Sequence, residues 1–177
     1  MGILTIPNLL SISRLLLLPL ILFFLAKKLY LSSLVFIAIS WVTDAFDGYL
    51  ARKLNCVSDL GKILDHLVDK IWVGSILVVL VMSKNLDFKI VLAIIIRDLL
   101  ITAGFIFLMK KRNIVSKSSV LGKITGFFFA LLIIAALLNR KNELLIITYL
   151  TWLFLFLSFF DYFIYFLKNL RYGDKKN

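Results

Sequence analysis

The chain has a single cysteine, Cys56, which excludes an intramolecular disulfide and any cysteine-rich metal site. Acidic residues are also scarce: ten Asp and Glu stand against twenty-one Lys and Arg. There is no internal repeat and no low-complexity linker, so a single domain over residues 1–177 is expected. Proline occurs only at Pro7, which a helix start tolerates, and at Pro19, inside the first apolar stretch, where a kink is expected. Basic residues are missing before Arg14, and no small-residue cleavage site precedes Lys27-Lys28. The first apolar stretch therefore reads as a retained helix, not a signal peptide.

What the chain has in abundance is apolar surface. Its hydrophobic share is 62% and its mean hydropathy +1.00, against roughly 45–50% apolar residues in soluble domains. A protein this small cannot bury so much from water, so its solvent must be lipid. The formal charge of +11 does not point to a nucleic-acid partner. The basic residues cluster at the ends of apolar runs, where they meet anionic headgroups and set topology.

Six apolar spans are predicted, over about 8–26, 30–52, 59–82, 88–109, 119–138 and 143–167. Each approaches the ~20 residues that a spanning helix needs. In lipid the backbone must satisfy its own hydrogen bonds, and runs this long without alternation do so as helices. The expectation is an all-α integral membrane bundle of six transmembrane helices, preceded by a short interfacial segment, "IPNLLSIS". An even count puts both termini on one side. That side gathers Arg52, Lys53, Lys110, Lys111, Arg112 and Lys123, and the other has Lys27, Lys28, Lys84, Lys89, Arg140 and Lys141. With Arg14, Lys62, Lys117 and the basic tail added to the first set, the positive-inside rule places the termini in the cytoplasm.

Against this background stands the run "DAFDGYLARKLNCVSDLGKILDHLVDK". An ionisable side chain at membrane depth is costly and is a functional candidate by default. Asp44, Asp47, Asp65 and Asp69 fall within 26 residues and would repel one another unless cations sat between them. Asp44 and Asp47 are three apart and share a helix face, which Gly48 and Arg52 continue one turn on. Gly61, Asp65 and Asp69, spaced four and four, make a second face. Two helices presenting these faces to each other would form a four-carboxylate pocket. Oxygen-only ligands suit Mg²⁺ or Mn²⁺, and four carboxylates can bridge two such ions. Gly48, Ala51 and Gly61 leave room for a ligand's close approach. Arg52 offers a fork of donors suited to phosphate oxygens. His66 and Lys70 read as a hydrogen-bonded neighbour and a charge-balancing partner.

These residues resemble the CDP-alcohol phosphotransferase family, whose pattern D-x2-D-G-x2-A-R-x8-G-x3-D-x3-D the chain matches without a gap at Asp44, Asp47, Gly48, Ala51, Arg52, Gly61, Asp65 and Asp69. The resemblance implies transfer of a substituted phosphate from a CDP-linked donor to an alcohol, with release of CMP. It implies that the four aspartates hold two divalent ions and that Asp69 is also the general base. It assigns the CDP-linked donor to Gly48, Ala51, Arg52 and Gly61, with Asn8 and Ser58 as further contacts.

The start "IPNLLSISRLLLLPL", with Pro7, Asn8, Leu10, Ser11, Arg14 and Pro19, is similar to that of the bacterial phosphatidylglycerophosphate synthases within the family. Arg97, Gly122 and Lys123 match the same group further along. The donor implied is CDP-diacylglycerol and the acceptor glycerol 3-phosphate, whose phosphate would fall to Arg97, Arg112 and Lys123. Internal compensation of Arg97 by Asp98 is the competing reading for that arginine. "DHLVDK" departs from the group in placing His66 where proline is common. Inositol phosphate, serine and phosphatidylglycerol (the acceptor in cardiolipin synthesis) stay open as acceptors, because enzymes using them share the core motif. Two other classes fit the residues less well. An intramembrane prenyltransferase would need a second acidic cluster, and none follows Asp69. A divalent-cation transporter would leave Gly48, Ala51, Arg52 and Gly61 unexplained. The resemblance also implies a homodimer, for which the aromatic sixth span, with Phe154, Phe159 and Tyr162, offers a face. The location expected is a bacterial-type inner membrane, with the active site facing the cytoplasm.

Overall fold

A computed structural model describes residues 6–53, 59–112 and 119–172, with side chains over 14–43, 67–108 and 119–170. Six helices follow one another: α1 (Ile6–Ala26), α2 (Tyr30–Lys53), α3 (Asp59–Met82), α4 (Phe88–Arg112), α5 (Val120–Leu137) and α6 (Lys141–Tyr172). They match the six expected spans closely. The lead-in expected at the interface is helical from Ile6 and runs on into α1, which continues through Pro19 without a break. A proline lacking its N–H forfeits one ladder bond, and helices that satisfy every other backbone group internally tolerate this in lipid.

By length and composition, Phe88–Leu108, Val120–Leu137 and Lys141–Leu170 are each able to cross a membrane, and Arg14–Ala26 and Tyr30–Thr43 are shorter apolar stretches. Large apolar side chains face outward along them, among them Leu16, Phe23, Leu99, Phe127, Tyr149 and Phe160. This is the surface of an all-α membrane protein, whose exterior meets lipid chains instead of water.

The chain divides into two compact units, Met1–Leu86 and Asp87–Asn177. In the first, α1 packs against both α2 and α3. Leu18, Ile21 and Leu25 of α1 and Ile37 of α2 are buried, and Phe24 stacks on Phe36 with ring centroids 5.2 Å apart. Ser33 and Ser40 are fully buried on α2. Small side chains of this kind let helices approach closely, which matters where packing and not water expulsion drives association.

In the second unit α6 packs against α5 and α4. Phe128 stacks on Phe154 at 4.7 Å. The Thr125 hydroxyl, fully buried, lies within hydrogen-bond reach of both its own helix at Leu121 O (2.7 Å) and α6 at Phe154 O (3.1 Å). The Phe166 ring of α6 lies 3.5 Å from where a Cβ on Gly104 of α4 would stand, an ordinary contact distance.

Helices α1, α3 and α5 end alike. Lys28, Lys84 and Asn139 adopt φ of 59°, 59° and 53°. In each case the N–H of that residue bonds back to the carbonyl three before it, and the next N–H to the carbonyl five before: Lys28 to Leu25 and Leu29 to Phe24, Lys84 to Val81 and Asn85 to Leu80, Asn139 to Ala136 and Arg140 to Ala135. These are Schellman caps, which satisfy carbonyls that the helix end leaves open. Glycine is the usual residue at the left-handed position, and here two lysines and an asparagine occupy it.

Candidate active site

The motif lies on α2 and α3. The backbone of α2 carries Asp44, Asp47, Gly48, Ala51 and Arg52, and that of α3 carries Gly61, Asp65 and Asp69. The side chains of Asp44, Asp47, Ala51, Arg52, Asp65 and His66 lie outside the described residues, as do those of Asn8 and Arg112 and the whole of Ser58. Asp69 is described. Its side chain is 44% exposed, and its Oδ1 accepts from Nη1 of Arg14, a residue of α1 that is only 5% exposed.

One ring contact joins α2 to α3 near the motif. Trp41 and Trp72 approach to 6.2 Å between centroids. Trp41 lies twelve residues before the end of α2 and Trp72 thirteen after the start of α3. One helical turn on from Trp41 is position 44, and one turn back from Trp72 is position 69. The motif offers aspartates, and carboxylate oxygens suit a hard divalent cation.

A second polar cluster lies in the other unit. Arg97, on α4, is 6% exposed. It donates through Nη1 to Oδ1 of Asp98 (2.7 Å) and through Nη2 to Oγ of Ser158 on α6 (2.8 Å). Its guanidinium carbon lies 5.7 Å from the centroid of the Tyr162 ring, within range of a cation–π attraction. Its Nε has no hydrogen-bond partner among the described residues. The Asp98 contact expected from adjacency is therefore present, and Ser158 joins it. On the far side, the Tyr162 hydroxyl would come within 3.0 Å of a Cβ at Gly122, the residue before Lys123. Lys123 is exposed in the first turn of α5, which Ser119 caps by accepting from the Gly122 N–H at 3.0 Å.

The sequence did not mark Arg14, Ser158 or Tyr162 for these contacts. Arg14 read as a topology charge, and Tyr162 and Phe154 as part of a dimer face. Both aromatics also make contacts within their own unit, under Arg97 and on Phe128. One signal was available: Thr151 and Ser158 are polar residues seven apart on one face of the apolar middle of α6, and the structure buries both fully.

The profile of the CDP-alcohol phosphatidyltransferase family matches residues 4–160. The chain belongs to this family. Members are generally dependent on a divalent metal, in keeping with the carboxylate donor set. The chain is 44% identical over 128 residues to the CDP-diacylglycerol–glycerol-3-phosphate 3-phosphatidyltransferase of Aquifex aeolicus, covering 71% of each chain. It is 33% identical over 144 residues to the protein of the same name in Bacillus subtilis, covering 79% of this chain and 74% of that one. It is also similar to the cardiolipin synthase (CMP-forming) of Streptomyces coelicolor, at 35% identity over 112 residues, 59% of this chain and 52% of that one.

Proposed function

We propose that the chain, as one domain over residues 1–177, transfers the phosphatidyl group of CDP-diacylglycerol to glycerol 3-phosphate, giving phosphatidylglycerophosphate and CMP. The observation that carries this reading is the 44% identity to the Aquifex aeolicus enzyme of that activity, over 71% of both chains, joined to the gap-free motif from Asp44 to Asp69.

In this reading Asp44, Asp47, Asp65 and Asp69 would hold two Mg²⁺ or Mn²⁺ ions, and the Trp41–Trp72 contact, three residues from Asp44 on one helix and from Asp69 on the other, joins the two helices that carry them. When bound, the ions neutralise the diphosphate and the charge that grows on departing CMP. Arg52 pairs with phosphate oxygens of the donor. Asn8, Gly48, Ala51, Ser58 and Gly61 surround the CDP portion. Asp69 takes the proton of the acceptor hydroxyl as its oxygen attacks the phosphorus that bears the lipid. A new P–O bond forms, the P–O bond to CMP breaks, and the lipid tails remain between helices.

Arg97, Arg112 and Lys123 bind the acceptor's phosphate. Support comes from the partial engagement of Arg97. A guanidinium has five N–H donors, and Asp98 and Ser158 take one each while holding the fork in place. The six helices all span a bacterial-type inner membrane, with termini and active site on the cytoplasmic side, and the enzyme acts as a homodimer.

The likeness to a cardiolipin synthase favours one second reading, the same chemistry with phosphatidylglycerol as acceptor. One assay separates the two. Purified protein is given CDP-diacylglycerol and Mg²⁺, and CMP release is followed with each alcohol added singly. Release with glycerol 3-phosphate alone is the expected outcome. Release with phosphatidylglycerol, inositol phosphate or serine instead replaces the acceptor. No release with any of them removes the donor assignment.

A further inference from the structure

The ion pair between Arg14 and Asp69 joins α1 to α3 across 55 residues of sequence. Arg14 is 5% exposed. Burying a guanidinium costs desolvation, and such pairs seldom stabilise a fold more than apolar packing would. Its placement therefore calls for a reason other than stability. The partner supplies one: Asp69 is the last aspartate of the motif and the group assigned as proton acceptor. Its carboxylate is 44% exposed, so one oxygen can be held from the side of α1 while the group stays accessible. Helix α1 is also the element that packs on both α2 and α3, so a bond from α1 sets Asp69 relative to the aspartates of both helices. Trp72, one turn beyond Asp69, is held against Trp41 of α2. The backbone and the carboxylate of Asp69 are thus fixed by separate contacts.

From this geometry we infer that Arg14 is the positioning residue of Asp69: by occupying Oδ1 it fixes the rotation of the carboxylate for the metal-binding and proton-accepting roles proposed above. The inference rests on the metal and base roles proposed above for Asp69. Partners that orient a metal-ligating side chain in this way are worth about 10–100-fold in metal affinity or activity when removed. Arginine suits the task because its planar fork fixes direction as well as charge, which a lysine ammonium does not.

The test is Mn²⁺ binding to purified protein in detergent, followed by electron paramagnetic resonance without either substrate, on Arg14→Met, Arg14→Lys, Asp69→Asn and Arg14→Met/Asp69→Asn. Thermal unfolding of each variant checks its fold. Arg14→Met is expected to weaken Mn²⁺ binding by about tenfold or more and Arg14→Lys by a smaller factor. In the Asp69→Asn background Arg14→Met is expected to add less than about twofold, because residues that act through one contact are not additive. Turnover should fall through kcat, with the KM for CDP-diacylglycerol little changed. Folded Arg14→Met that binds Mn²⁺ as well as wild type, or more tightly, overturns the inference and leaves Arg14 a structural pin. If Arg14→Met does not fold, folded Arg14→Lys with unchanged Mn²⁺ affinity and kcat overturns it equally. Wild-type Mn²⁺ binding by Asp69→Asn would overturn the ligand reading and this inference together. Loss in Asp69→Asn with none in the Arg14 variants overturns this inference alone.

Discussion

Tyr162 of α6 closes over Gly122 of α5. A Cβ at position 122 would stand 3.0 Å from the tyrosine hydroxyl oxygen and 3.2 Å from its Cε2. Both distances are shorter than ordinary carbon contacts, so a side chain there displaces the ring. The same ring lies beneath the Arg97 guanidinium. Gly122→Ala is therefore expected to destabilise the protein by about 1–3 kcal/mol, the usual range for overpacking. Tyr162→Phe, which removes the closest atom, should recover part of that loss. Thermal unfolding of the two single variants and the double variant in detergent checks both statements.

Ser158 accepts from Nη2 of Arg97 in a fully buried position. Ser158→Ala leaves that N–H without its acceptor, at a cost of about 1 kcal/mol. If Arg97 binds the acceptor's phosphate, the loss is felt there too. The KM for glycerol 3-phosphate should rise severalfold while the KM for CDP-diacylglycerol stays near wild type. Initial rates with each substrate varied in turn provide the check.

Asp69→Asn keeps the shape of the side chain and removes its charge and its capacity to take a proton. CMP release is expected to fall by about 10²–10⁴-fold, the range typical of a general base. Binding of CDP-diacylglycerol should persist, since Arg52 and the other three aspartates are intact. Equilibrium binding of labelled donor alongside turnover measures the two effects separately. Near-normal turnover would remove Asp69 from the base role.

Removal of divalent ions by chelation should abolish CMP release, and adding back Mg²⁺ or Mn²⁺ should restore it. Zn²⁺ should restore far less, because it prefers nitrogen and sulfur ligands to a set made only of carboxylates. Activity after exhaustive chelation would contradict the metal assignment.

Lys28 and Lys84 hold the left-handed position of their Schellman caps with φ of 59° each. That conformation costs an L-residue with a Cβ about 1–2 kcal/mol and costs glycine nothing. Lys28→Gly and Lys84→Gly are each expected to stabilise the protein by about 1 kcal/mol. Asn139→Gly should gain less, since asparagine tolerates the region. Unfolding midpoints compared in one detergent are the measurement.

The helices were legible because lipid leaves the backbone no alternative, and each apolar run is bounded by lysines, arginines or aspartates that stop it. The caps of α1, α3 and α5 were not, because the glycine that usually marks a left-handed terminus is absent from all three. Asp98 could be read as a partner of Arg97 because the two are adjacent. Ser158, 61 residues away, could not. The contacts of Tyr162 and Phe154 within their unit could not be read either, because an aromatic residue in an apolar helix has the same appearance whether it meets lipid, a partner or its own neighbour.

The sequence by itself determined the family, the six helices and the identity of the motif aspartates, all of which follow from local run lengths and fixed spacings. Only the tertiary structure decided that Arg14 bonds to Asp69, that Ser158 and Tyr162 hold Arg97, and that Trp41 meets Trp72 beside the motif. Each of these contacts joins positions far apart in the chain. Helical periodicity fixes which residues share a face of one helix, whereas packing between helices selects the partner that the face meets.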